Sequence, residues 1–186
     1  KVCRQGAKVF LNTTERVNKL LETNENVAAI VAPSFPAEFA EFPDHHILVG
    51  MIRALGFKYV AEVSFGADLV AERYKKLFSG DNDYYISSDC PSIVNYIRFY
   101  HHSLVDRLAP IVSPMVAMGR VVRSRYGEDT KIVFIGPCVA KKAENSEIDE
   151  AVTFIELREM FAQKNISPEN ISPSDFDPPA GGRGAI

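Results

Sequence analysis

One continuous apolar run constrains the fold more than any other feature of the chain. Residues 27–32, Val-Ala-Ala-Ile-Val-Ala, show no alternation of apolar and polar side chains, and Pro33 closes the run. A strand with one solvated face alternates, whereas a strand covered on both faces reads as a continuous apolar segment. Residues 131–135 carry a second run of this kind. The pattern therefore favours a parallel sheet with helices on both sides.

Apolar segments of strand length alternate with segments of helical periodicity along the rest of the chain. This alternation is typical of the α/β class, so we expect a doubly wound, mostly parallel sheet of about four to five strands with helices on both faces. The strands are predicted at 27–32, 58–64, 84–88, 131–135 and 151–154, and the helices at 16–22, before Gly56, and at 67–78, 91–101, 111–126 and 156–161.

Composition excludes several classes of protein. The chain has 186 residues, of which 46% are hydrophobic and 24% are charged, and a net charge of -3 gives no reason to expect a nucleic-acid partner. No apolar run approaches the roughly 18 residues that span a membrane, and the first residues lack the pattern of a signal peptide. We therefore expect a cytoplasmic protein. Three widely spaced cysteines in such a compartment serve metals or chemistry more often than disulfides.

Two of the cysteines occupy equivalent positions. Cys90 and Cys138 each follow a predicted strand and precede a predicted helix. The carboxyl ends of parallel strands meet at one crevice, so residues far apart in sequence can converge there. The backbone N–H groups at the start of a helix favour the thiolate form that binds iron or zinc. The spacing predicts a shared metal site, and the alternative is that each cysteine is a small buried apolar residue.

A lysine and a glutamate follow the second cysteine. Lys141 and Glu144 lie one turn apart on the helix that Cys138 is expected to open, so both can occupy one face of that helix. A lysine at this position can donate to an anionic ligand. The alternative is an ordinary solvated surface pair.

Two short motifs in the chain resemble the signature motifs of a known protein family. Residues 88–91, Ser-Asp-Cys-Pro, and 137–144, Pro-Cys-Val-Ala-Lys-Lys-Ala-Glu, resemble the first and second signature motifs of the iron-only ([FeFe]) hydrogenase large-subunit domain. The similarity continues in the family's order over roughly residues 27–160.

The resemblance implies a cofactor and a set of roles. The motif cysteines of the family bind a [4Fe–4S] cluster that is bridged to a two-iron subsite, which implies Cys90 and Cys138 as metal ligands here. By the same resemblance Lys141 contacts a cyanide of the two-iron subsite and Glu144 belongs to the proton route. The residues implied around the cofactor are Ser88, Pro137 and Lys141.

Several positions depart from the family pattern. Asp89 stands where active hydrogenases carry a second cysteine that passes protons, and a carboxylate can also carry protons, at a different pKa. Residues 92–93, Ser-Ile, replace a glycine–tryptophan pair, and Gly136 replaces a methionine. These differences resemble divergent family members that are thought to act in sensing or regulation. Fast hydrogen turnover is therefore not expected.

The chain is expected to be one lobe of a larger domain. Residues 13–164 form the α/β lobe, and residues 165–186, rich in proline and glycine, lead to a second lobe that holds the remaining cluster cysteines. Residues 1–12 resemble the tail of an upstream ferredoxin-like domain, because Cys3 is similar to the last cysteine of a bacterial-type ferredoxin motif. An unpaired terminal cysteine is the alternative. Two thiolates cannot satisfy a cluster that takes four, so no cluster is expected in this chain alone.

Three functions follow from these features. The first is an iron–sulfur protein of the hydrogenase type, catalysing electron and proton transfer, with Asp89, Lys141 and Glu144 as the catalytic residues. The second is a redox or hydrogen sensor without turnover, and the third is a metal-free α/β binding module. Expected partners are the second lobe, upstream ferredoxin-type clusters or an electron carrier, and signalling domains. No metal is expected at residues 45–46 or 101–102, because adjacent histidines point in different directions.

Overall fold

Four parallel strands form one sheet. β1 (Val27–Val31) pairs with β2 (Tyr59–Glu62) on one side and with β3 (Lys131–Gly136) on the other, and β4 (Glu150–Thr153) pairs with β3. The order of the strands across the sheet is therefore β2-β1-β3-β4. This architecture confirms the predicted α/β class with a parallel sheet. The computed structural model describes residues 9–79, 84–144 and 147–182.

The two central strands are covered on both faces. All five residues of β1 are buried, and five of the six residues of β3 are buried. The chain leaves β1 towards β2 and returns on the opposite side at β3. Because such crossovers are right-handed, they place their helices on opposite faces of the sheet. The continuous apolar runs in the sequence are these two strands.

The helices pack on the sheet and on each other. The α-helices are α1 (Thr14–Thr23), α2 (Phe35–Glu38), α3 (His45–Ala54), α4 (Val63–Phe78), α5 (Pro91–Tyr100), α6 (Pro114–Tyr126) and α7 (Phe154–Gln163). α6 contacts β1 and lies along α4, whereas α7 contacts β3 and β4 and packs with α1. A Cβ atom at Gly66 in α4 would lie 2.3 Å from the carbonyl oxygen of Pro114, so glycine permits the close approach of α4 and α6. In the described parts of the chain, no helix is long and apolar enough to cross a membrane.

The prediction of a strand at residues 84–88 is wrong. Ile86 makes an isolated bridge to Leu108, outside the four-stranded sheet. The backbone N–H of Ser88 donates to the hydroxyl of Tyr74 at 3.0 Å, and the side chain of Tyr84 is exposed. This segment has aromatic residues but too few buried apolar side chains for a strand between two helical layers. Cys90 therefore follows a loop that is tied to α4 through Tyr74, outside the sheet.

The proline-rich segment after α7 packs along the edge of the sheet. The backbone N–H of Asp177 donates to the carbonyl oxygen of Val60, and the Asp177 carboxylate accepts from the Val60 N–H, each at 2.7 Å. Arg53 also donates to this carboxylate, at 2.8 Å. The outer edge of β2 is thus covered at this point, which removes an unpaired strand edge. Over its described residues, 165–182, the segment is irregular except for a 3-10 helix at Pro168–Asn170.

Candidate functional site

The topology places a crevice beside the second motif. The order of the strands reverses between β1 and β3, and in open parallel sheets a crevice forms at such a point, outside the carboxyl ends of the strands. β3 ends at Gly136, and Pro137 and Cys138 follow directly, both exposed. Cys138 therefore lies at the position where this class of fold binds its ligands.

The two cysteines have matching local geometry. Cys90 precedes α5 and has backbone angles φ -103° and ψ 110°. Cys138 precedes a 3-10 helix, Val139–Ala143, and has φ -101° and ψ 113°. Both thiols are free and exposed, so the alternative that they are buried apolar residues is wrong. The helix predicted after Cys138 is a short 3-10 turn in the structure.

Lys141 joins the two motifs. Its ammonium group donates to the carbonyl oxygen of Asp89 at 2.9 Å and binds the Glu144 carboxylate. The side chains of Lys141 and Glu144 are only 15% and 12% exposed, which excludes a freely solvated pair. Because the contact with Asp89 spans 52 residues, it brings the residue before Cys90 beside the turn that Cys138 begins. α5 also contacts this turn.

Asp89 keeps one carboxylate oxygen without a partner. Oδ2 accepts from the hydroxyl of Ser87 at 2.8 Å, whereas Oδ1 is buried and has no hydrogen bond within the described residues. Buried polar atoms are nearly always paired, so an orphaned oxygen here indicates a donor or a group that belongs to the complete site. With two exposed thiols in matching geometry, the donor set fits one half of the four thiolates that a [4Fe–4S] cluster takes.

A cleft of about 300 Å³ lies between the two motifs. Ser88 and Pro91 of the first motif line it, together with Arg98 of α5 and Ser113. Glu144 reaches it from the second motif. The predicted site residues Ser88 and Glu144 therefore share one cavity, while Pro137 is exposed outside its lining.

The glycine that replaces a methionine at position 136 has a structural explanation. A Cβ atom at Gly136 would lie 2.5 Å from the ring of Phe134 and 2.9 Å from the Cβ atom of Ala32. The ring of Phe134 thus occupies the space that a larger side chain would need. Any pocket at this end of β3 differs in shape from one lined by methionine.

The sequence interpretation missed a buried ion pair behind the second motif. The ammonium group of Lys142 lies 2.5 and 2.7 Å from the two carboxylate oxygens of Glu156, and the exposed fractions of these side chains are 8% and 1%. Glu156 also accepts the backbone N–H groups of Thr13 and Thr153. The spacing of Thr153 and Glu156 is that of a capping box, which was the available signal. This pair anchors the turn that carries Cys138.

Electrostatics keep Glu156 ionised. Burial alone would raise its pKa, but the hydrogen bonds from Lys142, Thr153 and Thr13 outweigh burial and hold the pKa of Glu156 below its ordinary value. Lys141 and Lys142 therefore have separate roles. Lys141 faces the first motif, and Lys142 is part of the interior of the lobe.

Comparison with known proteins assigns the family. The family described as "Iron only hydrogenase large subunit, C-terminal domain" matches residues 25–185. The chain belongs to this family. This result confirms the resemblance inferred from the two motifs. Cys3 lies outside the described residues, so the structure adds nothing on the ferredoxin-like tail.

Relatives in this family include hydrogenases and assembly factors. The NADP-reducing hydrogenase subunit HndD of Solidesulfovibrio fructosivorans is 27% identical, over 97% of this chain and 37% of its own length. A probable cytosolic Fe-S cluster assembly factor of Drosophila mojavensis is 28% identical, over 71% of this chain and 33% of its own. The chain spans about a third of the length of these relatives.

Solved structures share the fold. The [FeFe]-hydrogenase HydA1 of Chlamydomonas reinhardtii superimposes with a TM-score of 0.73 at 21% identity. The match covers 92% of this chain and 52% of the hydrogenase. The chain therefore has the fold of about half of such a protein.

Proposed function

We propose that this lobe supplies Cys90 and Cys138 to a [4Fe–4S] cluster of the hydrogenase type, completed by two cysteines from the remaining half of the domain. The observation that carries the proposal is the hydrogen bond from Lys141 to the carbonyl oxygen of Asp89, which joins the two cysteine-bearing segments. Such a cluster takes up and releases single electrons.

The side chains around the cysteines have distinct tasks in this proposal. Lys141 holds the two motifs together and places a positive charge beside them. Glu144 is held at the cleft by Lys141 and can pass a proton there. Asp89, with one buried and unpaired oxygen, is the second carboxylate able to hold a proton. Ser88 donates to the carbonyl oxygen of Ile111 and so fixes the loop before Cys90.

The surface next to Cys90 is suited to contact with the other half of the domain. α5 begins directly after Cys90 and exposes Ile93, Tyr96, Phe99 and Tyr100, each with 45% or more of its surface accessible. A helix with this many exposed apolar side chains is usually covered by a partner. Because the chain matches 52% of a solved hydrogenase, the remaining half of that domain is the occupant we propose. Upstream ferredoxin-type clusters or a separate electron carrier would deliver the electrons, in the cytoplasm.

We expect the full-length protein to show a visible thiolate-to-iron absorption that bleaches on reduction and returns on oxidation. Cys90→Ser should lose the part of this absorption that comes from the cluster at Cys90 and Cys138, because one ligand of that site is removed, whereas upstream ferredoxin-type clusters would keep theirs. Ser92→Ala is the matched control, since Ser92 is an exposed neighbour, and it should keep the absorption. A colourless wild-type protein would instead indicate a metal-free α/β binding module.

A second function, redox or hydrogen sensing without turnover, is favoured by Asp89 at the position of the proton-passing cysteine. In a sensor, wild-type full-length protein oxidises little hydrogen. Asp89→Cys should then raise turnover by about a hundredfold, the range that a well-matched proton donor contributes. Asp89→Asn is the control, because it keeps the size of the side chain and cannot take up a proton. High turnover by the wild type would contradict the sensor function.

A further inference from the structure

One side chain of α4 reaches the loop before Cys90. Tyr74 is half-buried, and its hydroxyl oxygen accepts the backbone N–H of Ser88 at 3.0 Å. The same oxygen lies 3.3 Å from the hydroxyl oxygen of Ser87 and 3.5 Å from that of Ser88. A single phenol group thus contacts both serines that precede Asp89 and Cys90.

Tyr74 takes the place of strand pairing in this loop. Ile86 makes two backbone hydrogen bonds with the segment 107–109, at 2.7 and 2.9 Å. Beyond Ile86, the N–H of Ser88 has its acceptor in the Tyr74 side chain and not in a neighbouring strand. Because a backbone N–H that is shielded from water needs a partner, the Tyr74 hydroxyl supplies what the absent strand would have supplied.

The hydrogen bonds around Tyr74 have a direction. Each hydroxyl has one hydrogen to donate. That of Ser88 goes to the carbonyl oxygen of Ile111 at 2.5 Å, so Ser88 does not donate it to Tyr74. The hydrogen of Tyr74 goes to Ser87, and that of Ser87 goes to Oδ2 of Asp89 at 2.8 Å. The chain of donors therefore runs from Tyr74 through Ser87 to Asp89.

This chain of donors fixes the orientation of Asp89. Because Ser87 occupies Oδ2, Oδ1 is the carboxylate oxygen that stays buried and unpaired within the described residues. The carbonyl oxygen of Asp89 accepts from Lys141 at 2.9 Å. The residue before Cys90 is thus held by α4 on one side and by the second motif on the other.

We propose that Tyr74 is a positioning residue of the first motif, which holds Asp89 and Cys90 in place before and after a cluster binds. Its effect on a cluster rests on the proposed function, whereas its anchoring of the loop does not. Tyr74 acts through the two serines. Without its hydroxyl, the N–H of Ser88 loses its acceptor, and Ser87 loses the donor that directs its own hydrogen to Asp89.

Amide hydrogen exchange of the full-length protein, prepared without iron, tests the anchoring of the loop. Tyr74→Phe removes the hydroxyl and keeps the ring, which stacks with Phe78 at a centroid distance of 5.9 Å. We expect the Ser88 amide to exchange about tenfold faster in this variant, the effect of about one hydrogen bond. Tyr59→Phe is the matched control, since the hydroxyl of Tyr59 has no hydrogen bond within the described residues, and it should exchange like wild type at Ser88.

A second variant separates the two contacts of Tyr74. Ser87→Ala interrupts the chain to Asp89 and leaves the N–H of Ser88 its acceptor, so the Ser88 amide should stay protected as in wild type. Equal exchange of this amide in Tyr74→Phe and wild type would overturn the inference. Protection that is lost in Ser87→Ala as well would also overturn it, because the loop would then be held through Ser87 and not by the bond from Ser88 to Tyr74.

The iron-loaded full-length protein gives a readout at the cluster itself. The relevant signal is the part of the reduced protein's electron paramagnetic resonance spectrum that Cys138→Ser removes. Tyr74→Phe should alter this signal and shift the reduction potential of the centre, because the loop that carries Cys90 is no longer fixed, while Tyr59→Phe should leave both unchanged. A signal and potential that Tyr74→Phe leaves unchanged would overturn the positioning role. A wild-type protein without iron would contradict the proposed function alone, and the exchange of the Ser88 amide would then decide the role of Tyr74.

Discussion

Replacing Glu156 with alanine is expected to lower the free energy of unfolding by about 3 to 5 kcal/mol, the usual cost of breaking a buried ion pair. The ammonium group of Lys142 would remain in the interior without its counter-charge. The backbone N–H groups of Thr13 and Thr153 would also lose their acceptor. Urea unfolding at neutral pH measures the change. Because Glu159 is an exposed carboxylate on the same helix, Glu159→Ala is the control and should stay within about 0.5 kcal/mol of wild type.

A double substitution isolates the interaction energy between Lys142 and Glu156 from the energy of their other contacts. Lys142→Met and Glu156→Gln each leave one partner uncompensated, whereas the double variant leaves no buried charge at this position. We therefore expect the double variant to be less destabilised than the sum of the two single variants. Additive effects would mean that the two side chains contribute independently, contrary to the geometry.

The ion pair of Lys142 and Glu156 also determines how the stability of the fold changes with pH. Because the pKa of Glu156 is lower in the folded state than its unfolded value of about 4.3, the ionised carboxylate stabilises the fold above that value. This stabilisation is lost as the pH falls through the lower folded-state pKa. The difference in stability between wild type and Glu156→Gln should therefore be largest at neutral pH and shrink in acid. A difference that grows in acid would contradict the assignment.

Much of the fold was predictable because the sheet is parallel and buried. The continuous apolar runs at 27–32 and 131–135 correspond to β1 and β3, since both faces of a central strand exclude polar residues. The segment 84–88 misled the prediction because its tyrosines and isoleucine have strand propensity without burial. Propensity alone cannot distinguish a buried strand from a loop that contains the same residue types.

The candidate site was predictable in its residues but not in its contacts. The motif spacing indicated Cys90, Cys138, Lys141 and Glu144, and the structure brings their segments together through Lys141. The pairing of Lys142 with Glu156 could not be read from periodicity, because both residue types are usually exposed.

Cys138→Ser is expected to remove the proposed cluster entirely. Cys138 follows β3 at the crevice where the strand order reverses, so a serine there leaves the site one thiolate short. Val139→Ala is the matched control, because Val139 is the exposed residue that follows and offers no ligand. Each protein should remain folded, since neither side chain is buried.

The most direct measurement is anaerobic iron and acid-labile sulfide content of the full-length protein that carries this chain. Wild type and Val139→Ala should contain at least about four iron and four sulfide per chain, and Cys138→Ser should contain about four fewer of each, the content of one [4Fe–4S] cluster. Iron that is absent from the wild type, or equal in wild type and Cys138→Ser, would contradict a cluster at this site.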